Sequence, residues 1–153
     1  MSILVTGAAG YIGSIVTEKL TGDGCSVVGL DNLNQGHRAA LDGGVTFIQA
    51  ELGDEAALDK VFAEHDIDAV MHFAAYAWVG ESMTDPAGYF RNNVACGINL
   101  LNAMVKHGVK KLVFSSSCAV YGEPIKIPID ETCAKKPTSP YGESKLIFEN
   151  MLG

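Results

Sequence analysis

Cysteine is scarce and unpaired in this chain. Cys25, Cys96, Cys118 and Cys133 form no C-x-x-C pair and follow no regular spacing. That argues against a disulfide framework or a zinc site and fits a reducing, cytoplasmic setting. His37, His65, His72 and His107 are equally scattered, so no metal site is expected. Positive charge is short as well: 11 Lys and Arg against 18 Asp and Glu leave a net charge of −7. An acidic surface does not attract a phosphate chain or anionic lipid, so neither nucleic acid nor a membrane is an expected partner. A small phosphorylated ligand held by backbone amides stays compatible with that charge. No apolar run reaches the roughly 18 residues of a membrane span. The opening "MSILVTGAAG" lacks a basic leader region.

What is present reads as one globular domain. Hydrophobic residues make up 48% and charged residues 19%, and 153 residues are enough to bury a core. Short apolar runs alternate with helical spacing. Strands are expected at Ile3–Val5, Val27–Leu30, Val45–Ile48, Ala69–Phe73 and Leu112–Phe114. Helices are expected from Ile12, Ile15, Val16 and Leu20, after a cap at Asp54, and from Val94, Ile98, Leu101 and Val105 up to Gly108. Strands separated by crossover helices predict an α/β fold, a doubly wound parallel sheet with helices on both sides. Residues 121–140 carry Pro124, Pro128, Pro137 and Pro140 and read as a long functional loop.

"ILVTGAAGYIGS" puts Gly7, Gly10 and Gly13 between the first strand and the first helix. That context suits a dinucleotide: a tight turn, close backbone approach to a pyrophosphate, and free N–H groups at a helix start. Asp31 closes the second strand near the spacing, about 20 residues on, of a ribose-binding carboxylate. A carboxylate there repels a 2′-phosphate, which favours NAD over NADP. Turn formation beside Asn32 is the plainer reading of the same aspartate.

Tyr141 and Lys145 in "SPYGESK" share one helix face at i and i+4. Pro140 starts that helix and Ser139 is its candidate cap. Composition alone would produce about 0.3 such pairs, so the pair draws its weight from the glycine turn upstream. A neighbouring ammonium and the positive end of a helix both stabilise a phenolate, making a base able to take a hydroxyl proton. Ser115, Ser116 and Ser117 end the fifth strand, where ligands of parallel sheets bind. Any one of them also reads as an ordinary polar strand exit.

Taken in order, "TGAAGYIGS", "LDNL", "HFAAYAWVGES", "RNNV", "SSSCAVYGEP" and "SPYGESK" resemble the extended short-chain dehydrogenase/reductase family, in its nucleotide-sugar 4-epimerase branch. The resemblance implies a Rossmann fold, NAD as cofactor and a UDP-sugar substrate. It implies Ser117, Tyr141 and Lys145 as the catalytic set. On the cofactor it implies Gly7, Gly10, Tyr11, Ile12, Gly13, Asp31, Asn32, Phe73, Ala74, Ala75, Asn93, Tyr141 and Lys145. Glu51-Leu52 stands where the family's adenine site carries an aspartate and an aliphatic residue, and Ala77 stands where some members carry lysine. The implied reaction interconverts UDP-glucose and UDP-galactose by transient oxidation at C4.

Family members are about twice as long, so residues 1–153 are expected to be the NAD-binding domain without the last strands and the substrate domain. Alone, the chain is expected to bind NAD and turn over poorly. An open sheet edge and the helices around 88–107 and 141–153 suggest a homo-oligomer, a dimer. A nucleotide-sugar dehydratase is disfavoured because Cys118-Ala119, not Asp-Glu, follows Ser117. An epimerase for an N-acetylated or pentose sugar, and a non-catalytic NAD-binding module, both stay open.

Overall fold

The computed structural model describes residues 1–153. Contacts divide them into two compact units, Met1–Ala75 with Ile98–Ser115, and Tyr76–Gly97 with Ser116–Gly153. The sequence has no composition shift or linker at these crossings, so the division is a property of packing alone.

The first unit holds the whole sheet. Strands β1 (Ser2–Thr6), β2 (Ser26–Asp31), β3 (Thr46–Gln49), β4 (Ala69–His72) and β5 (Leu112–Phe114) pair in the order β3-β2-β1-β4-β5. Every pairing is parallel. This is the doubly wound Rossmann arrangement, with the order reversing beside β1. Ile3, Leu4, Val5 and Thr6 are all buried in succession, as a central strand covered on both faces requires. Helix α1 (Tyr11–Gly22) and α2 (Glu55–Glu64) serve as crossovers. Asp54 caps α2, accepting from the Ala57 N–H at 3.0 Å.

The second unit is helical: α3 (Val79–Thr84), α4 (Pro86–Phe90), a π-turn at Arg91–Ala95 and α6 (Pro140–Leu152). Helix α5 (Cys96–Lys106) follows the π-turn and runs on into the first unit. The apolar spacing does not predict α3 and α4, although Asp85 and Pro86 spell a helix start. The Asp85 carboxylate accepts from the Gly88 N–H at 3.0 Å.

On two helices the apolar spacing marks the helix without marking its buried face. On α5 the spacing of Val94, Ile98, Leu101 and Val105 suggests the buried stripe, yet Ile98 is 39% and Val105 80% exposed. The face turned inward carries Leu100, Ala103 and Met104. On α1, Ile12 and Ile15 are more than half exposed while Gly13 and Thr17 are buried. An apolar period establishes a helix; when apolar residues occur all round, it does not choose the face.

Candidate functional site: a glycine turn and a tyrosine–lysine helix

Each unit carries one set of candidate residues. In the first, β1 runs into a turn closed by Gly7 N–H donating to the Leu30 carbonyl at 2.8 Å and by Gly10 N–H donating to the Gly7 carbonyl at 3.1 Å. Gly7 has φ +70°, which only glycine adopts without penalty. A Cβ on Gly7 would lie 2.6 Å from the Ala74 nitrogen, so the turn rests on the exit of β4. A Cβ on Gly13 would overlap the Gly7 carbonyl oxygen. A Cβ on Gly10 meets only that oxygen, at 3.3 Å, and its other side is open. The three glycines thus divide the work: two let the turn close on the protein, and the middle one leaves its outer face bare.

Gly10 is also the N-cap of α1 and supplies no side chain to it. The first-turn N–H groups, including those of Tyr11 and Ile12, have no intrahelical acceptor. A bare backbone and a helix N-terminus fit a pyrophosphate. Asp31 is 7% exposed. One of its oxygens accepts from Ala9 N–H at 3.0 Å and the other from Leu33 N–H at 2.8 Å. So the carboxylate does hold the turn, and each oxygen keeps a lone pair for a hydroxyl. The Asn32 amide donates to Glu51 at 3.1 Å, bringing these two candidates together beside Asp31. Leu52 is buried, and its carbonyl accepts from Asn99 at 3.2 Å. Phe73 N–H donates to the Thr6 carbonyl at 3.0 Å, which leads Phe73, Ala74 and Ala75 out alongside the turn.

In the second unit Ser139 caps α6, its hydroxyl accepting from Gly142 N–H at 3.1 Å, with Pro140 at the first helical position. Ser117 caps the short helical turn Cys118–Tyr121, accepting from Ala119 N–H at 3.2 Å. The two turns touch: a Cβ on Gly142 would lie 2.6 Å from the Ala119 carbonyl oxygen. That contact explains the small residue between Tyr141 and Lys145, and it sets the Ser117 turn against the first turn of α6. Ser116, one residue earlier, donates to Glu149, whose other oxygen pairs with Lys135 at 2.5 Å.

Lys145 is only 4% exposed, and its ammonium nitrogen is 6.0 Å from the Tyr141 ring centroid. Burial pushes its amine down to about 8, because desolvation disfavours the charged form. Tyr141 is half-buried and meets Tyr89 edge-on at 6.4 Å between centroids. No sequence signal singles out Tyr89, yet it is 1% exposed. Its hydroxyl accepts from Trp78 N–H at 2.9 Å and lies 2.8 Å from both the Trp78 carbonyl and Glu81. Burial, then the bond to Glu81, pushes Tyr89 up to about 12. It therefore stays a neutral wall. Asn93 is 4% exposed and its side-chain amide is committed to Tyr76, Asn92 and Ser144. No group of three or more metal-ligating side chains is present, and no helix is long and apolar enough to cross a membrane.

Comparison with known proteins bears on the chain as a whole. Residues 3–153 match the NAD dependent epimerase/dehydratase family. A UDP-glucose 4-epimerase of Halalkalibacterium halodurans is 51% identical over 151 residues, covering 99% of this chain and 45% of the relative. A protein of Oryza sativa subsp. japonica named as a probable UDP-arabinose 4-epimerase is 45% identical, covering 98% and 39%. The crystal structure of UDP-glucose 4-epimerase from Brucella ovis with NAD superposes with a TM-score of 0.96 at 44% identity, covering 99% of this chain and 46% of that one. The chain spans less than half the length of these relatives.

Proposed function

The chain belongs to the NAD dependent epimerase/dehydratase family, and from that premise we propose that it is the cofactor-holding and proton-transferring part of a UDP-glucose 4-epimerase. The observation that carries the reading is the buried Lys145 amine 6.0 Å from the Tyr141 ring, in a chain that also bears the Gly7/Gly10/Gly13 turn. The first-turn amides at Tyr11 and Ile12 hold the pyrophosphate. Asp31 accepts from the adenosine ribose hydroxyls, with Asn32 and Glu51 beside it, Leu52 flanking the adenine, and Phe73, Ala74 and Ala75 lining the cofactor's path. When bound, NAD supplies a reversible hydride acceptor for the sugar C4.

The residues of the second unit do the proton work. Tyr141 as phenolate takes the proton of the sugar 4-hydroxyl. Lys145, held in a poorly solvated place, stabilises that phenolate electrostatically. Ser117 hydrogen-bonds the sugar oxygen and helps pass the proton. After the flat 4-keto sugar turns over, Tyr141 returns the proton to the opposite epimer. A phenol at position 141 thus serves as base and then as acid within one cycle, and the protein ends unchanged.

Calorimetric titration with NAD tests the reading: the 153-residue chain binds it, and a chain that binds none overturns the assignment. With UDP-galactose added, steady epimerisation by this chain alone would overturn the half-enzyme part of the proposal. Exposed Ile98 and Val105 on α5 support a homodimer, checked by sedimentation. A pentose nucleotide sugar is the second reading, favoured by the similarity to the rice relative; competition between UDP-glucose and UDP-arabinose decides it.

A further inference from the structure

Four hydrogen-bonding positions belong to an asparagine amide: two N–H donors and two carbonyl lone pairs. Asn93 uses all four inside the protein. Its oxygen accepts from Tyr76 N–H at 2.8 Å and from the Asn92 amide at 2.9 Å. Its nitrogen donates to the Tyr76 carbonyl at 2.9 Å and to the Ser144 hydroxyl at 3.1 Å. Ser144, fully buried, in turn donates to the Tyr141 carbonyl at 2.7 Å. A continuous chain therefore runs from the Tyr76 peptide through Asn93 and Ser144 to Tyr141. Ser144 sits between Tyr141 and Lys145 on the first turns of α6. Asn93 itself lies on the π-turn Arg91–Ala95, a helical irregularity that recurs at functional sites.

Resting on the function proposed above, we propose that Asn93 is a positioning residue, acting through Ser144 to set Tyr141 against Lys145, and that it makes no hydrogen bond to the dinucleotide. Its bond count leaves none to give. The rings agree with this role. Tyr76 meets Tyr89 edge-on at 5.6 Å, and Tyr89 meets Tyr141 at 6.4 Å, so the segment Asn93 clasps also backs the Tyr141 ring.

The test compares Asn93→Ala, Ser144→Ala and the double variant in this chain. The first readout is the Lys145 ε-carbon resonance by NMR at pH 8, near the midpoint of that amine. Each single substitution moves it, and the double moves it no further than Asn93→Ala does. Leu58→Ala, a core change in the other unit that lowers stability, leaves the resonance in place. The second readout is NAD affinity by calorimetry. Ser144→Ala, at a residue that is not itself among the expected cofactor contacts, weakens binding about as much as Asn93→Ala, by roughly fivefold. The proposal falls if Ser144→Ala leaves the Lys145 resonance unmoved, if the two single effects add in the double, or if only Asn93→Ala weakens NAD. Should Asn93→Ala fail to fold, Ser144→Ala alone decides. A parent chain that binds no NAD overturns the functional assignment, while the resonance still decides the strut.

Discussion

Two helices of this chain begin in opposite ways. α1 starts at Gly10, with no side chain to accept its first N–H groups and Tyr11 and Ile12 exposed over it. α6 starts at Ser139, whose hydroxyl takes the Gly142 N–H, with Pro140 removing another donor and Gly142 packed on the Ala119 carbonyl. The first start is left open and the second is sealed. An open helix N-terminus is a place for an anion, whereas a sealed one holds its side chains still. In the function proposed above, the cofactor phosphates are assigned to the first start and the proton-transferring pair to the second.

The strongest way to break this contrast is at Gly13. A methyl there overlaps the Gly7 carbonyl, so Gly13→Ala costs about 3 kcal/mol of stability and removes NAD binding. Denaturant melts with calorimetry check both; an unchanged Kd would show that the turn does not hold the cofactor. Lys145→Met comes next. The parent amine titrates at about 8 in the folded chain, against 10.5 for an ordinary lysine. The folded protein therefore bears the full burial penalty below about 8, and the penalty fades as pH rises towards 10.5, since the unfolded state binds more protons there. Lys145→Met should be more stable by roughly 2–3 kcal/mol at neutral pH, the gap closing through that window. A gap independent of pH would contradict the buried-amine account.

Sealing the open start, or opening the sealed one, sharpens the contrast directly. Gly10→Asp places a carboxylate where phosphate is proposed and caps α1. NAD should weaken by more than about tenfold, with stability changed by less than about 1 kcal/mol. Ser139→Ala should do the reverse, losing about 1 kcal/mol while NAD affinity falls little. The smallest effect is expected at Glu149. Burial raises its carboxyl, but the bonds to Lys135 and Ser116 outweigh that and hold it below the ordinary value. Its contribution is present above the unfolded value and lost as pH falls through the folded one. Glu149→Gln should flatten the acid limb of the stability curve by under about 1 kcal/mol, because the pair with Lys135 is partly exposed.

Much of this contrast is written locally. Gly7, Gly10 and Gly13 between an apolar run and a helical one mark the open start, and Ser139-Pro140 marks the sealed one. All five strands lie where short apolar runs stand between turn residues, and Leu112–Phe114 matches to the residue. Asp85-Pro86 carries the same kind of start signal as Ser139-Pro140, but no apolar spacing follows it, and α4 was not among the expected helices. Tyr89 and Asn93 were not legible in their roles. One lies between two other tyrosine rings and the other binds residues 17 and 51 positions away, and no local pattern encodes partners at such separations.

Residue order by itself determined the alternation of strand and helix, the turn that only glycine can make, and the two contrasting helix starts, because each depends on sterics and hydrogen bonds within one or two turns of chain. Tertiary structure alone decided which face of α5 is covered, how deeply Lys145 is removed from water and where the Asn93 amide spends its bonds. Burial and long-range pairing are properties of the assembled neighbours, and a side chain acquires them only when distant segments close around it.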